Sequence, residues 1–193
     1  MHKVLGDARS SHACVYVDDI MVHSKTVEDH NAHLDDILQR VENQGMTVSR
    51  HKCQLFKQEV QYLGHKVGWY GTRACEDKVK AMVDMSPPVK GGRVDKRLMQ
   101  VALGCFNYYR RYIHHFASIA APLVECTKDG ADMTWNRPRQ AAYKELKEAM
   151  SSAPIIMHPD FGLPFAVHTD ASKTAVAGVL TQCPSGKTTS EMH

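Results

Sequence analysis

Ala13-Cys14-Val15-Tyr16-Val17-Asp18-Asp19-Ile20-Met21-Val22-His23 is the stretch on which the reading of this chain turns. Two β-prone runs, Ala13 to Val17 and Ile20 to His23, flank a pair of turn-tolerant aspartates, a pattern that predicts a hairpin. Such a turn would throw both carboxylates out at its tip while Val15, Val17 and Ile20 help fill a core. Adjacent carboxylates repel, and a chain tolerates them best when they are solvated or neutralised by a hard cation. Mg²⁺ prefers a few carboxylate oxygens together with substrate phosphates. Taken alone, Tyr16 to Asp19 is more often a plain polar turn.

Working outward, Thr26 with Asp29 three residues on predicts a helix N-cap with a box partner. Leu34, Ile37, Leu38 and Val41 follow at helical spacing up to Gly45. Met46 to Val48 and Val60 to Val67 read as short strands around a basic loop, Arg50-His51-Lys52. A helix is expected from Glu76 to before Pro87-Pro88, then a loop from Val89 to Val94 holding Gly91-Gly92. From Asp95 to about Phe116, the stripe Leu98, Ala102, Cys105, Tyr109 and Ile113 predicts one helix, and Pro138 to Met150 predicts another. Pro154, Pro159 and Pro164 punctuate a linker, after which Phe165 to Thr169 and Val176 to Thr181 read as strands. The order is β-rich, α-rich, then β again, which suggests three pieces.

The 193 residues are 43% hydrophobic and 23% charged, ordinary values for a globular chain. A net charge of +3 permits a polyanionic partner without demanding one. No apolar run approaches the roughly 18 residues needed to cross a bilayer, and Met1 to Ser11 lack the apolar core of a signal peptide. The six cysteines are scattered, without a Cys-x-x-Cys pair, and the twelve histidines do not complete a tetrahedral spacing. Reduced thiols in an intracellular protein, cytoplasmic or nuclear, are the expectation.

Three further features carry more than one reading. Tyr108, Tyr109, Arg110, Arg111 and Tyr112 interleave aromatic and basic groups, either as a core tyrosine beneath solvent-facing arginines or as a face for phosphates. Gly64 either marks a bulge or lets another backbone approach closely. Asp170, at the end of an apolar strand, either terminates it in a turn with Ser172 or projects a functional carboxylate.

The sequence around Tyr16-Val17-Asp18-Asp19 resembles the reverse transcriptases of gypsy-type long-terminal-repeat retrotransposons. The resemblance rests on ordered motifs along nearly the whole chain: Val4-Leu5-Gly6, the Asp-Asp hairpin, Lys52-Cys53 with Phe56, and Tyr62-Leu63-Gly64-His65 with Val67 and Gly71. It continues through Asn107 to Ile113, Ala120-Ala121-Pro122-Leu123, Trp135, Ala153-Pro154, Pro159-Asp160-Phe161, Thr169-Asp170-Ala171-Ser172 and Val179-Leu180 with Gln182. It implies an α+β fold of antiparallel palm-remnant hairpins, a helical thumb and an incomplete RNase H-like sheet. The expected division is a palm remnant over 1–72, a thumb and connection over 73–150, and a truncated RNase H-like domain over 151–193.

By the same resemblance Asp18 would bind metal at the polymerase site, with Asp19 its weaker neighbour. Asp170 would be the first RNase H carboxylate. Leu63, Gly64 and His65 would grip the primer end, Tyr108, Arg110 and Arg111 would lie against the template–primer duplex, and Lys52 would sit near the leaving pyrophosphate. Mg²⁺ is the implied cofactor, an RNA/DNA template–primer the implied partner, and exposed RNase H-like strand edges an implied site of association. The upstream polymerase aspartate and the later RNase H acids are not among these residues. The run Pro88 to Leu103 is longer than the family's, and Ala175 and Ala177 stand where its glycines do, as in a decayed or misjoined copy. The expectation is therefore a fragment of an RNA-directed DNA polymerase with partial RNase H, active in the intact parent and inactive alone. The alternative is a non-catalytic nucleic-acid-binding remnant.

Overall fold

The computed structural model describes residues 2–171 and 176–182. The chain divides into two compact units, residues 1–62 and 63–193.

The first unit opens with α1 (His2–Leu5) and α2 (Ala8–Ser11), followed by β1 (Ala13–Tyr16) and β2 (Asp19–Val22). These strands pair antiparallel with Val15 opposite Ile20 and Tyr16 opposite Asp19. The two loop residues are thus Val17 and Asp18, one position earlier than the sequence pattern suggested. Burial sets this register, since Ala13 and Val15 then face the small core opposite Val22 and Ile20, with Leu5, Ala8, Ile37 and Val41. The cost falls on Val17, a β-branched residue held at φ 53°.

Helix α3 (Val27–Asn43) starts where expected, with the Thr26 hydroxyl accepting from the Asp29 amide at 3.1 Å. Arg40 on α3 holds Asp36 at 2.8 Å, Asp7 at 2.9 Å and the Leu5 carbonyl at 3.1 Å, which ties α1 to α3. These pairs pull the Asp36 and Asp7 carboxyls below their usual range, the Arg40 hydrogen bond being the main cause. Met46 to Val48, expected as a strand, is irregular, with Met46 packed against the core. A single 3-10 turn (Arg50–Lys52) and β3 (Glu59–Tyr62) complete the unit.

The second unit begins with a left-handed pair, Leu63 and Gly64, leading into β4 (His65–Gly68) and β5 (Gly71–Ala74). These two pair antiparallel, and the sequence had not signalled β5. Helix α4 (Glu76–Val83) follows, then β6 (Val89–Lys90) and β7 (Arg93–Val94). Gly91 and Gly92, at φ 57° and 77°, thus form a small hairpin turn where a loop was expected. Helix α5 (Lys96–Tyr108) is capped by Asp95, whose carboxylate accepts from the Leu98 amide at 3.0 Å.

The expected single helix from Asp95 to Phe116 is broken. Helix α5 stops at Tyr108, a 3-10 turn spans Arg110–Tyr112, and α6 (Phe116–Glu125) starts afresh after His115 at φ 53°. Met99, Ala102, Phe106, Tyr109 and Ile113 keep helical spacing, but Tyr112 is buried beside Ile113, so the buried face widens where the 3-10 turn runs. A 3-10 turn puts residues three apart on one face, which an α-helix does less well. Leu98, expected within the apolar stripe, is exposed.

Helix α7 (Arg137–Ser151) is capped by Asn136 and carries Pro138 in its first turn. Its Tyr143, Leu146 and Met150 join Phe106, Met99 and Leu123 in the main core. Past α7, Ile156 forms an isolated antiparallel bridge with Thr72 of β5. Strands β8 (Phe165–Ala171) and β9 (Val176–Gln182) end the described chain as a two-stranded antiparallel hairpin, each longer than the pattern indicated. The architecture is α+β: helices with small antiparallel sheets. No helix among the described residues is long and apolar enough to cross a membrane.

Candidate functional site

In the first unit, Asp18 stands at the tip of the β1–β2 hairpin and Asp19 begins β2, both exposed. Tyr16 and Val17 beside them are 57% and 65% exposed, so the tip presents an apolar shoulder next to two acids. Among the described residues, no basic side chain is paired with either carboxylate. The phenol of Tyr62 is pushed up, chiefly by burial, with Cys14 and Asp19 adding to it electrostatically. Lys52 is exposed at the end of its 3-10 turn. No group of three or more His, Cys, Asp or Glu among the described residues could hold a metal ion. The tip thus presents two adjacent, exposed carboxylates.

In the second unit the structure brings Leu63, Gly64 and His65 together with Tyr108, and Arg111 lies near enough to act on His65, while Arg110 begins the 3-10 turn that holds Arg111. The Tyr108 hydroxyl donates to the Leu63 carbonyl at 2.5 Å, and that of Tyr109 donates to the Gly64 carbonyl at 2.9 Å. The Tyr112 hydroxyl shares a hydrogen bond with Nδ1 of His65 at 3.0 Å. His65 also stacks on the Tyr108 ring, centroids 5.4 Å apart and planes at 12°. Burial, and secondarily Arg111, lowers the His65 pKa, favouring the neutral ring. Burial raises the Tyr109 phenol to about 12, so it stays a donor at neutral pH.

Gly64 answers the question its sequence left open. A Cβ there would lie 2.9 Å from the Tyr109 hydroxyl, so the group that approaches closely is a side chain of this chain. Tyr109 is core, as one reading held, and the arginines are solvent-facing. They sit on a 3-10 turn, however, and not on the helix expected for them. The guanidinium of Arg111 lies 5.3 Å from the Tyr112 ring centroid. Neither Arg110 nor Arg111 has a carboxylate partner among the described residues.

Beside this cluster, Lys66 and Arg73 on neighbouring strands both bind Glu76, the former at 2.8 Å. These pairs, with the hydrogen bond from Lys66 the largest cause, hold the Glu76 carboxyl at about 2. Sequence reasoning missed Tyr112 and the clamping use of Tyr109. Three tyrosines within five positions were the available signal, since a buried phenol needs a partner for its hydroxyl. Asp170 lies inside β8, paired with Ala177, and not at the strand's end. Its side chain falls outside the described residues, as do Ser172 to Ala175 and everything from Cys183 onward.

Residues 1–67 match the family model of the reverse transcriptase, an RNA-dependent DNA polymerase. Residues 135–190 match that of the RNase H-like domain found in reverse transcriptase. The Tf2-3 and Tf2-7 transposon polyproteins of Schizosaccharomyces pombe are 28% and 27% identical over 182 residues, 94% of this chain and 13% of each polyprotein. The chain thus spans a small part of the relatives it matches. Among solved structures, a foamy viral protease-reverse transcriptase in complex with double-stranded DNA superposes with a TM-score of 0.75. It is 23% identical, over 94% of this chain and 31% of that one. The foamy viral enzyme in complex with RNA/DNA hybrid gives 0.73, also at 23% identity, over 94% and 24%. The chain thus carries a reverse transcriptase match followed by an RNase H-like match, and it resembles the corresponding segment of retrotransposon polyproteins.

Proposed function

We propose that this segment serves template–primer-directed DNA synthesis, with Asp18, and Asp19 beside it, contributing carboxylate oxygens to a magnesium site. The observation that carries this reading is the pair of adjacent, exposed carboxylates at a hairpin tip with no basic partner among the described residues. Mg²⁺ bound there would supply charge stabilisation at the reacting phosphates. This chain's own contribution is to hold two acids outward on a strained turn, next to the exposed Tyr16 ring. Asp170 has the corresponding part in the RNase H-like segment. The partner is a template–primer duplex, a reading supported by the double-stranded DNA and the RNA/DNA hybrid in complex with the foamy viral enzymes whose fold this chain shares.

A second reading, duplex binding without chemistry, is favoured by Arg110 and Arg111. Both are exposed and without a carboxylate partner among the described residues, and Arg111 acts electrostatically on His65 beside the Leu63–Gly64 turn. Lys52 adds a further exposed cation in the first unit. The bare strands β8 and β9, with Val167, Val179 and Leu180 exposed, also support association through the edges of this hairpin.

Primer extension on an RNA template with Mg²⁺, run beside an Asp18→Asn variant, separates the readings. Extension lost in the variant establishes polymerase chemistry. Absence of extension, with duplex binding that survives Asp18→Asn and weakens with salt, leaves the binding reading. There, each of Arg110→Ala and Arg111→Ala should flatten the logarithmic salt slope by about one for each phosphate left without its cation. Neither extension nor binding would overturn both.

A further inference from the structure

Leu63 and Gly64 form a two-residue turn with φ of 49° and 73°. Glycine is at ease there, but leucine is not, because its Cβ crowds the following carbonyl in the left-handed region. Turns of this shape favour Asn or Asp followed by Gly, whose short polar side chains offset the strain locally. Leucine has no such side chain, so the conformation must be held from outside. Strained backbone persists where its surroundings over-determine it, and it gathers where the chain has to present a fixed shape.

The surroundings here are three hydroxyls. Tyr108 and Tyr109 donate to the carbonyls of Leu63 and Gly64, and Tyr112 engages His65. The Gly64 carbonyl takes a second bond from the Cys75 amide at 3.2 Å. Tyr108 is 52% exposed; one side of its ring stacks on His65, and its hydroxyl turns inward to the Leu63 carbonyl.

We infer that Tyr108, Tyr109 and Tyr112 are positioning residues whose hydroxyls hold the Leu63–Gly64 turn in its strained conformation, both carbonyls drawn onto the protein, fixing the face it offers to a nucleic-acid duplex. The inference rests on the duplex-binding reading above. It assigns Tyr108 a role through the turn, in place of the direct nucleic-acid contact that the family resemblance implied. The break of α5 at Tyr108 acquires a purpose as well. The 3-10 turn after it places Tyr112, three residues on, more nearly in line with Tyr109 than a continuous α-helix would.

The test compares the full chain with Tyr108→Phe, Tyr109→Phe and the double variant Tyr108→Phe with Leu63→Asn. Binding of a fluorescein-labelled RNA/DNA hybrid is followed by anisotropy, and exchange of the Cys75 amide by NMR. Loss of one such hydrogen bond should weaken hybrid binding about five-fold in Tyr108→Phe. Leu63→Asn, which relaxes the left-handed strain, should restore most of it. A role in packing or in direct contact predicts no such rescue, so unchanged binding in Tyr108→Phe, or absence of rescue, overturns the proposal. If the unaltered chain binds no hybrid, the duplex-binding reading fails on its own, and the amide still decides the clamp. Exchange at Cys75 accelerated about five-fold or more in Tyr109→Phe supports it, and unchanged exchange overturns it.

Discussion

A Cβ added to Gly71, at φ 137°, would fall inside the carbonyl oxygen of Ile156. The same carbonyl accepts from the Thr72 amide at 2.7 Å, so it cannot retreat without breaking that bond. Gly71→Ala should therefore destabilise the second unit by about 2–3 kcal/mol, combining backbone strain with a steric clash. Thermal unfolding measures this, and a midpoint equal to that of the unaltered chain would refute it. Glu76 makes a different prediction. Its carboxyl titrates near 2 in the fold against an unperturbed value of 4.5. Its contribution is therefore complete above about pH 4.5 and drains away as pH falls towards 2. The group is largely exposed, at 55% for its side chain, so solvent screening keeps the effect small. The gap in melting temperature between the chain and Glu76→Gln should be open at pH 6 and closed near pH 2. A gap that does not change with pH would sink the assignment. At this scale the exposed placement of Asp18 and Asp19 at a hairpin was legible from the two β-prone runs that flank them, although the pair taken alone is more often a plain polar turn. The tyrosine clamp was not, because a sequence shows that a phenol needs a partner without saying which.

Elements were legible where periodicity and capping agreed. Thr26 with Asp29 marked the start of α3 to the residue, and Pro138 marked the first turn of α7. The β1–β2 hairpin was legible as an element but not in register, since two-residue turns at 17–18 and 18–19 differ only in which side chains reach the core. The run from Asp95 to Phe116 misled because the buried set Met99, Ala102, Phe106, Tyr109 and Ile113 keeps helical spacing straight through the break, so periodicity could not reveal it. Strands β8 and β9 carry an element-scale prediction. On one face of this two-stranded sheet Phe165, Val167, Leu180 and Val176 are 39%, 66%, 63% and 82% exposed. An isolated hairpin of this kind is marginal in water and offers open edges to another strand. Sedimentation should show association that rises with concentration and that Val167→Lys with Leu180→Lys suppresses. A monodisperse monomer at high concentration would count against it.

For the molecule as a whole, the broad order of hairpins, helices and hairpin could be read from the sequence, and the structure draws its main division after Tyr62. Long-range fastenings could not be read, because they join residues far apart that have no pattern in common. The prolines at 154, 159 and 164 suggested a linker after α7. Instead Ile156 is bridged to Thr72, and His158 reaches the Gly68 carbonyl at 2.9 Å. On the far side, the Gln182 amide nitrogen donates to the Asp160 carbonyl at 2.6 Å and to that of Leu163 at 3.1 Å. Between the two anchorages only Pro159 is left, so the unfastened stretch is one residue long. A shortened version of this protein should therefore end after His158 and not at Ser152, where α7 gives out. A chain stopped at Ser152 should melt several degrees below one stopped at His158, because it leaves β5 with an empty seam beside Gly71.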